Sequence, residues 1–204
     1  MKRVFDIIAS ACGLTVLLPL FGVAALAIRI GSGSPVMFRQ QRVGRNFQPF
    51  TIYKFRTMVV DAASKGGPIT SGRDSRITPI GAILRKLKID ELPQLMNVLK
   101  GDMSLVGPRP EMREFVEQFE QDYRVILQIR PGITDLASLK YHNESAILEQ
   151  FENPSDAYVR CVLPDKLSLA KEYVSRSSFL FDIELILKTL LKLTYASRRI
   201  SAVD

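Results

Sequence analysis

From Ile7 to Ile28 the chain carries 22 consecutive uncharged residues. At ~1.5 Å per residue, a helix of that length covers the ~30 Å hydrocarbon thickness of a bilayer. Lys2, Arg3 and Asp6 precede the run, and Arg29, Arg39, Arg42 and Arg45 follow it, so positive charge on both flanks sets no orientation. Pro19 stands near its middle, where it removes a helical hydrogen bond and kinks the helix. The pattern predicts a segment that enters the membrane, turns at a Pro19 hinge and returns to the same face. Hydropathy alone also allows a straight span. A cleaved leader would use the small residues of Ala25-Leu-Ala27, but the run exceeds the usual ~7–15-residue signal core and Asp6 sits at its edge.

After Gly31-Ser-Gly-Ser-Pro35 the pattern becomes that of strands. Val36 to Gln41 and Phe47 to Met58 are rich in β-branched and aromatic residues, and Gly44-Arg-Asn46 supplies turn chemistry between them. Strand alternation places Lys54 and Arg56 on one face, which suits either a pyrophosphate or plain solvation. Residues 61–76 are rich in Gly, Ser and charge and read as a loop, a connector rather than a lid. Thr78-Pro79 then supplies an N-cap and first helical position for a helix carrying Ile80, Ile83, Leu84 and Leu87 on one face.

A second helix start follows at Asp90-Glu91, with Leu92, Leu95, Met96 and Leu99 at helical spacing and Gly101 as the stop. An acidic pair at a helix N-terminus is stabilised in its ionised form by backbone N–H groups and the dipole. Capping and dipole complementation explain both residues without any catalysis. The C-terminal third predicts helices over 155–175 and 179–195. The second is apolar around most of its circumference, as in an interfacial helix or a buried core helix, with Arg198 and Arg199 beyond it.

Composition narrows the function classes. A net charge of +7 implies an anionic partner: nucleic acid, acidic lipid or a phosphorylated substrate. The apolar N-terminal run and the lack of an aromatic–basic platform argue against nucleic acid. Cys12 and Cys161 give no disulfide framework, a single His142 gives no histidine-based metal site, and no Walker loop or dinucleotide-binding glycine motif occurs. Gly107-Pro-Arg-Pro110 sets two prolines around Arg109 and so restricts its backbone, and Arg130-Pro-Gly132 repeats the arrangement more loosely. A preorganised guanidinium matches a phosphate with paired hydrogen bonds, although two rigid turns with incidental arginines would look the same.

The blocks Phe38-Arg-Gln-Gln-Arg-Val-Gly44, Tyr53-Lys-Phe-Arg-Thr-Met58, Asp90 through Pro110, and Arg130-Pro-Gly-Ile-Thr134 occur in one order. Together they resemble the bacterial sugar transferase family, the monotopic phosphoglycosyl transferases that start glycan assembly on a polyprenyl phosphate. The resemblance reaches about residue 140. It implies an α+β, predominantly helical fold with a small β-hairpin and amphipathic interfacial helices. Residues 1–34 would be a re-entrant membrane anchor and residues 35–204 the catalytic domain. It further implies a bacterial inner-membrane location with the catalytic domain on the cytosolic face.

The activity it implies is transfer of a phosphosugar from a uridine-linked diphosphate sugar to undecaprenyl phosphate, with release of UMP. Asp90 would be the nucleophile and Glu91 its helper, the two also placing Mg²⁺; Lys54, Arg56, Arg109 and Arg130 would hold the diphosphate. Expected partners are the donor, the polyprenyl phosphate and membrane lipids, with a homodimer allowed. The alternative is a non-enzymatic membrane-surface adaptor for anionic lipids. Two departures stand out: Leu18-Pro19 replaces the usual Ser-Pro at the break, and Ile133-Thr-Asp-Leu-Ala-Ser138 has Asp135 where the family carries glycine. The second departure adds bulk and charge near an expected sugar or nucleotide contact, so the sugar identity does not transfer.

Overall fold

The computed structural model of the chain describes residues 1–72 and 74–198. It is α+β and mostly helical. The long helix α1, Lys2–Ser32, comes first. The antiparallel hairpin of β1, Met37–Val43, and β2, Pro49–Phe55, follows, with Met37 opposite Phe55 and Val43 opposite Pro49. A short 3₁₀ turn at Arg45–Phe47 joins the strands, with Asn46 and Phe47 both at positive φ. Helix α2, Pro79–Lys86, begins as expected: the Thr78 hydroxyl accepts from Gly81 N–H at 3.0 Å and Pro79 occupies the first turn.

A 3₁₀ segment, Ile89–Gln94, runs directly into α3, Leu95–Lys100, which stops at Gly101 with φ 95°. The sequence predicts one α-helix from Asp90. The 3₁₀ form replaces its first turn because Pro93 has no N–H to bond the carbonyl four residues back. After α3 come β3, Ser104–Val106, α4, Arg113–Gln118, α5, Glu120–Ile126, and β4, Gly132–Thr134. β3 and β4 form a parallel pair that the sequence did not announce, since three-residue strands carry no periodicity. They cross so closely that a Cβ on Gly132 would lie 2.0 Å from Gly107 N.

The remaining helices are α6, Leu136–Lys140, α7, Glu144–Leu148, α8, Pro154–Ala157, α9, Leu163–Arg176, and α10, Phe179–Arg198. A wider π turn at Tyr158–Val162 links α8 to α9, so the helix expected over 155–175 forms with an interruption just before Pro164. α10 buries one face and exposes apolar residues elsewhere. Phe181 and Leu185 are buried, whereas Leu180, Leu187, Leu190 and Leu191 are exposed. Arg199 lies outside the described residues.

The expected helix–break–helix at Pro19 is a single helical element instead, with Pro19 inside it. Pro19 deletes one hydrogen bond, and the apolar helix continues on both sides. Both ends of α1 are fastened to the same body. At the N-terminal end Lys2 Nζ donates to Val106 O at 2.9 Å and pairs with Asp182, Arg3 donates to Val98 O at 2.7 Å, and buried Asp6 accepts from the Ser104 hydroxyl at 2.8 Å. At the other end Ala24 and Ile28 pack with Phe55 and Leu84. Between and around these contacts Val4, Ile8, Val16, Leu18, Val23, Leu26 and Ile30 remain exposed. An apolar surface of this length, with a mean hydropathy of 2.3 in its central window, belongs in lipid.

Candidate active site

The site is built where the 3₁₀ segment meets the end of β2. Strand β2 directs Lys54 toward Glu91, and their side chains pair at 2.9 Å. The Gly107–Pro110 turn, which leaves β3 immediately after its crossing with β4, directs Arg109 at the same carboxylate. Arg109 Nη1 donates to Glu91 Oε2 at 3.2 Å and Nη2 to Oε1. Burial alone would raise the Glu91 pKa, but the charges of Arg109 and Lys54 and the Arg109 hydrogen bond outweigh it and hold the group well below its ordinary value. Glu91 is therefore a fixed anion with both oxygens occupied. A cation at Glu91 would share this carboxylate with Arg109 and Lys54.

Asp90 behaves differently from the capping residue predicted for it. The position before the segment is Lys88, in the left-handed region at φ 57°, and Asp90 lies within the first turn without a capping bond. The residue is 7% exposed, and among the described residues its buried Oδ1 has no hydrogen-bond partner. Burial, reinforced by the adjacent Glu91 carboxylate, raises its pKa; Lys54, Arg85 and Lys88 act in the opposite direction. The helix N-terminus thus does not hold Asp90 ionised as the sequence suggested. What favours the charged form is the set of surrounding cations. Among the described residues, a buried carboxylate oxygen without a partner is uncommon, and Asp90 presents one beside a Glu91 held by two cations.

Arg85 approaches from α2, with Nε donating to Thr57 Oγ1 at 2.8 Å. Arg56 and Arg130, by contrast, are not brought to this point. Strand β2 ends at Phe55, and buried Arg56 turns to the end of α1, donating to Ser32 O at 2.5 Å and Gly33 O at 2.9 Å. Orphan carbonyls at a helix C-terminus attract such a cation. Arg130 Nε donates to Gly101 O at 2.8 Å, at the end of α3, for the same reason. Asp135 is a buried capping residue. It is 3% exposed, caps α6 by accepting from Ser138 N–H at 2.7 Å, and accepts from Arg109 N–H at 3.1 Å. The departure from glycine therefore steadies the arginine turn.

A cavity of about 330 Å³ opens beside Glu91 and Arg109. Lys88 and Arg42 add further cations to its lining. The loop at residues 61–76, expected to be a connector, contributes Pro68, Ile69 and Thr70 to the wall. Arg76 holds that loop in shape by pairing with Asp74 at 2.7 Å and donating to Gly67 O at 2.7 Å. The floor is a buried charge network that sequence reasoning missed. Tyr158 OH donates to Glu111 at 2.7 Å, and Lys166 Nζ lies 3.0 Å from Tyr158 OH, 3.1 Å from Glu144 and 3.5 Å from Glu111. Glu111 directly follows the Gly107–Pro110 turn, and Arg42 sits inside the Phe38–Gly44 block, so proximity to those motifs was the available signal. Lys166, on α9 far along the chain, offered none.

The chain matches the bacterial sugar transferase family over residues 1–196. It is 46% identical over 144 residues to a UDP-N-acetylgalactosamine–undecaprenyl-phosphate N-acetylgalactosaminephosphotransferase of Aeromonas hydrophila, covering 68% of this chain and 34% of that protein. It is 34% identical over 196 residues to the UDP-glucose:undecaprenyl-phosphate glucose-1-phosphate transferase of Escherichia coli, covering 94% and 40%. A third relative, the exopolysaccharide production protein PSS of Rhizobium leguminosarum, is 38% identical over 196 residues, covering 93% and 92%. The chain thus spans about a third of the Aeromonas protein and nearly all of the Rhizobium one.

Proposed function

Because this chain belongs to the bacterial sugar transferase family, we propose that it transfers a sugar phosphate from a uridine diphosphate sugar to undecaprenyl phosphate at the cytosolic face of the inner membrane. The observation that carries the reading is the buried, unpartnered Asp90 oxygen beside a Glu91 locked by Arg109 and Lys54. Two of the relatives named above, those of Aeromonas hydrophila and Escherichia coli, are named for transferring the phosphates of two different sugars to undecaprenyl phosphate. The shared chemistry supports the reaction class, and the difference leaves the sugar to be read by residues of this chain.

The reaction proceeds in two displacements. Asp90 attacks the phosphorus bearing the sugar, the bond to the uridine monophosphate oxygen breaks, and a phosphosugar–aspartate remains. A phosphate oxygen of the polyprenyl carrier then attacks the same phosphorus, and the Asp90 carboxylate leaves. Dividing the transfer makes each barrier lower than a single direct displacement. Lys54 and Arg109 already converge on one carboxylate, and such convergence suits a diphosphate whose charge they must also offset. Glu91, anionic throughout, orients both cations. Arg85 and Lys88 favour the ionised Asp90 that attack requires.

Of the two acidic residues, Asp90 fits Mg²⁺, having an oxygen without a partner. Among the described residues no group of three or more His, Cys, Asp or Glu side chains converges. Substrate phosphates and water would supply the remaining oxygens, the usual mode for this ion, and the ion would neutralise diphosphate charge.

The test is UMP release by purified protein in lipid nanodiscs with Mg²⁺, undecaprenyl phosphate and a panel of uridine diphosphate sugars. Asp90→Asn is expected to lower release at least about a thousandfold with the fold intact. Donor alone should give one equivalent of UMP and a phosphosugar adduct on the wild type. Unchanged release from the variant would overturn Asp90 as nucleophile.

A further inference from the structure

The cavity is lined by cations, Lys88, Arg109 and Arg42 among them. Much of the remaining wall comes from one stretch, residues 137–145, which includes Ser138, Tyr141, His142 and Glu144. Asp135 fixes where that stretch begins, since it both caps α6 and holds the backbone of Arg109. The Gly72 N–H donates to Ser145 O at 2.9 Å, tying the far end of the stretch to the 61–76 loop. The wall is therefore held at a set distance from the phosphate-binding arginine.

Within this wall Glu144 is the group without an internal explanation. Lys166 Nζ holds its Oε2 at 3.1 Å, and among the described residues no hydrogen bond to Oε1 occurs. The side chain is about one-third exposed and lines the cavity. Lys166 is itself buried and committed to Glu111, Tyr158 and Glu144, so it orients the carboxylate without being free to leave. A carboxylate cannot accept a hydrogen bond from a fully ionised diphosphate and repels it. It recognises hydroxyl or amide N–H donors instead. The sugar is linked through oxygen to the phosphorus that Asp90 attacks, and the cavity opens at Glu91, the residue next to Asp90, with Glu111 and Glu144 in the same lining.

Resting on the donor reading above, we propose that Glu144, positioned by Lys166, reads the sugar hydroxyls of the donor and sets sugar preference. The nucleoside lies elsewhere and does not touch it. The two claims separate cleanly in binding. Affinities of wild type and Glu144→Gln for UDP and for epimeric uridine diphosphate sugars are measured by calorimetry on the full chain in nanodiscs. Kinetic constants for the same donors are measured in parallel. Glu144→Gln keeps the shape and an oxygen for Lys166.

The expected result is about ten- to a hundredfold weaker binding of the preferred sugar donor. The ratio of kcat/KM between epimers should move toward one, and UDP affinity should stay within about twofold. Retained UDP affinity also reports that the cavity is folded. Parallel loss of UDP affinity would overturn the assignment by placing the nucleoside on Glu144, and an unchanged epimer ratio would overturn it by removing any sugar contact. A wild type that binds UDP but no UDP sugar would instead overturn the donor reading on which the assignment rests.

Discussion

Asp90 and Glu91 are neighbours in sequence with opposite electrostatic fates, and this predicts opposite effects on stability. Asp90 has a raised pKa because burial and Glu91 disfavour its charge. Its contribution to stability is fully present below the ordinary carboxylate pKa and is lost as pH rises through the folded value, so at neutral pH the charge is a burden. Glu91 has a depressed pKa, and its contribution is present above the ordinary value and lost as pH falls through the folded one. Asp90→Asn should therefore leave the melting temperature at pH 7 unchanged or higher, while removing activity. Glu91→Gln leaves Lys54 and Arg109 facing a neutral group and should cost about 3 kcal/mol. That corresponds to a fall of roughly 6–12 °C in a chain of this size. Thermal denaturation of both variants at pH 7 checks the contrast, and a fall for Asp90→Asn equal to that for Glu91→Gln would contradict it. The sequence identified this pair, together with Lys54 and Arg109, because their spacing and motifs are local. It misplaced Arg56 and Arg130 because each is drawn to orphan carbonyls at a helix end, a contact set by tertiary packing. It missed Lys166 because a lone lysine on a helix has no pattern to betray a buried role.

Elements differ in how far their ends were readable. Thr78-Pro79 announced α2 and Gly101 announced the end of α3, since caps and stops are written in residue type. Thr78→Ala should cost about 1 kcal/mol and 2–4 °C with activity retained, because the capping bond from Gly81 N–H and a long 3.4 Å bond to Thr57 O are lost. The β3–β4 crossing was silent in the sequence yet governs the site more strongly. A methyl on Gly132 would meet Gly107 backbone at 2.0 Å, and Gly107 opens the turn that carries Arg109. Gly132→Ala should therefore separate the strands, cost about 3 kcal/mol or more, and weaken donor binding along with stability. Calorimetric melting with parallel titration of a uridine diphosphate sugar distinguishes these outcomes. A Gly132→Ala protein with normal affinity would show that the crossing does not position Arg109.

At the scale of the whole molecule, hydropathy gave the length of α1 but not its relation to the rest of the chain. That relation lies in contacts between residues far apart in the sequence: Asp6 on Ser104, Lys2 on Asp182, and Ile28 with Leu84. A helix that spans the bilayer carries its two ends to opposite sides. Here the charged N-terminal end and the Arg56-capped C-terminal end both grip the body that holds Asp90, so a span would tear one set of contacts apart. Severing the N-terminal set would leave buried Asp6 without the Ser104 hydroxyl and Leu105 N–H that now satisfy it. Uncompensated burial of a charge costs several kcal/mol. The proposed function therefore predicts that the exposed apolar residues of α1 meet lipid from one face, keeping the body that holds Asp90 at the surface. In a Cys12→Ser background, exposed Cys161 and a Val4→Cys substitution should react with a membrane-impermeant maleimide from the same side of sealed vesicles. Labelling from opposite sides would mean that α1 crosses the membrane and that the Lys2, Arg3 and Asp6 contacts do not hold there. Same-side labelling combined with a Lys2→Met, Asp6→Asn double variant that still binds membranes but loses activity would tie the docked anchor to the geometry of the Arg109 turn, which begins one residue after Val106, the residue Lys2 holds.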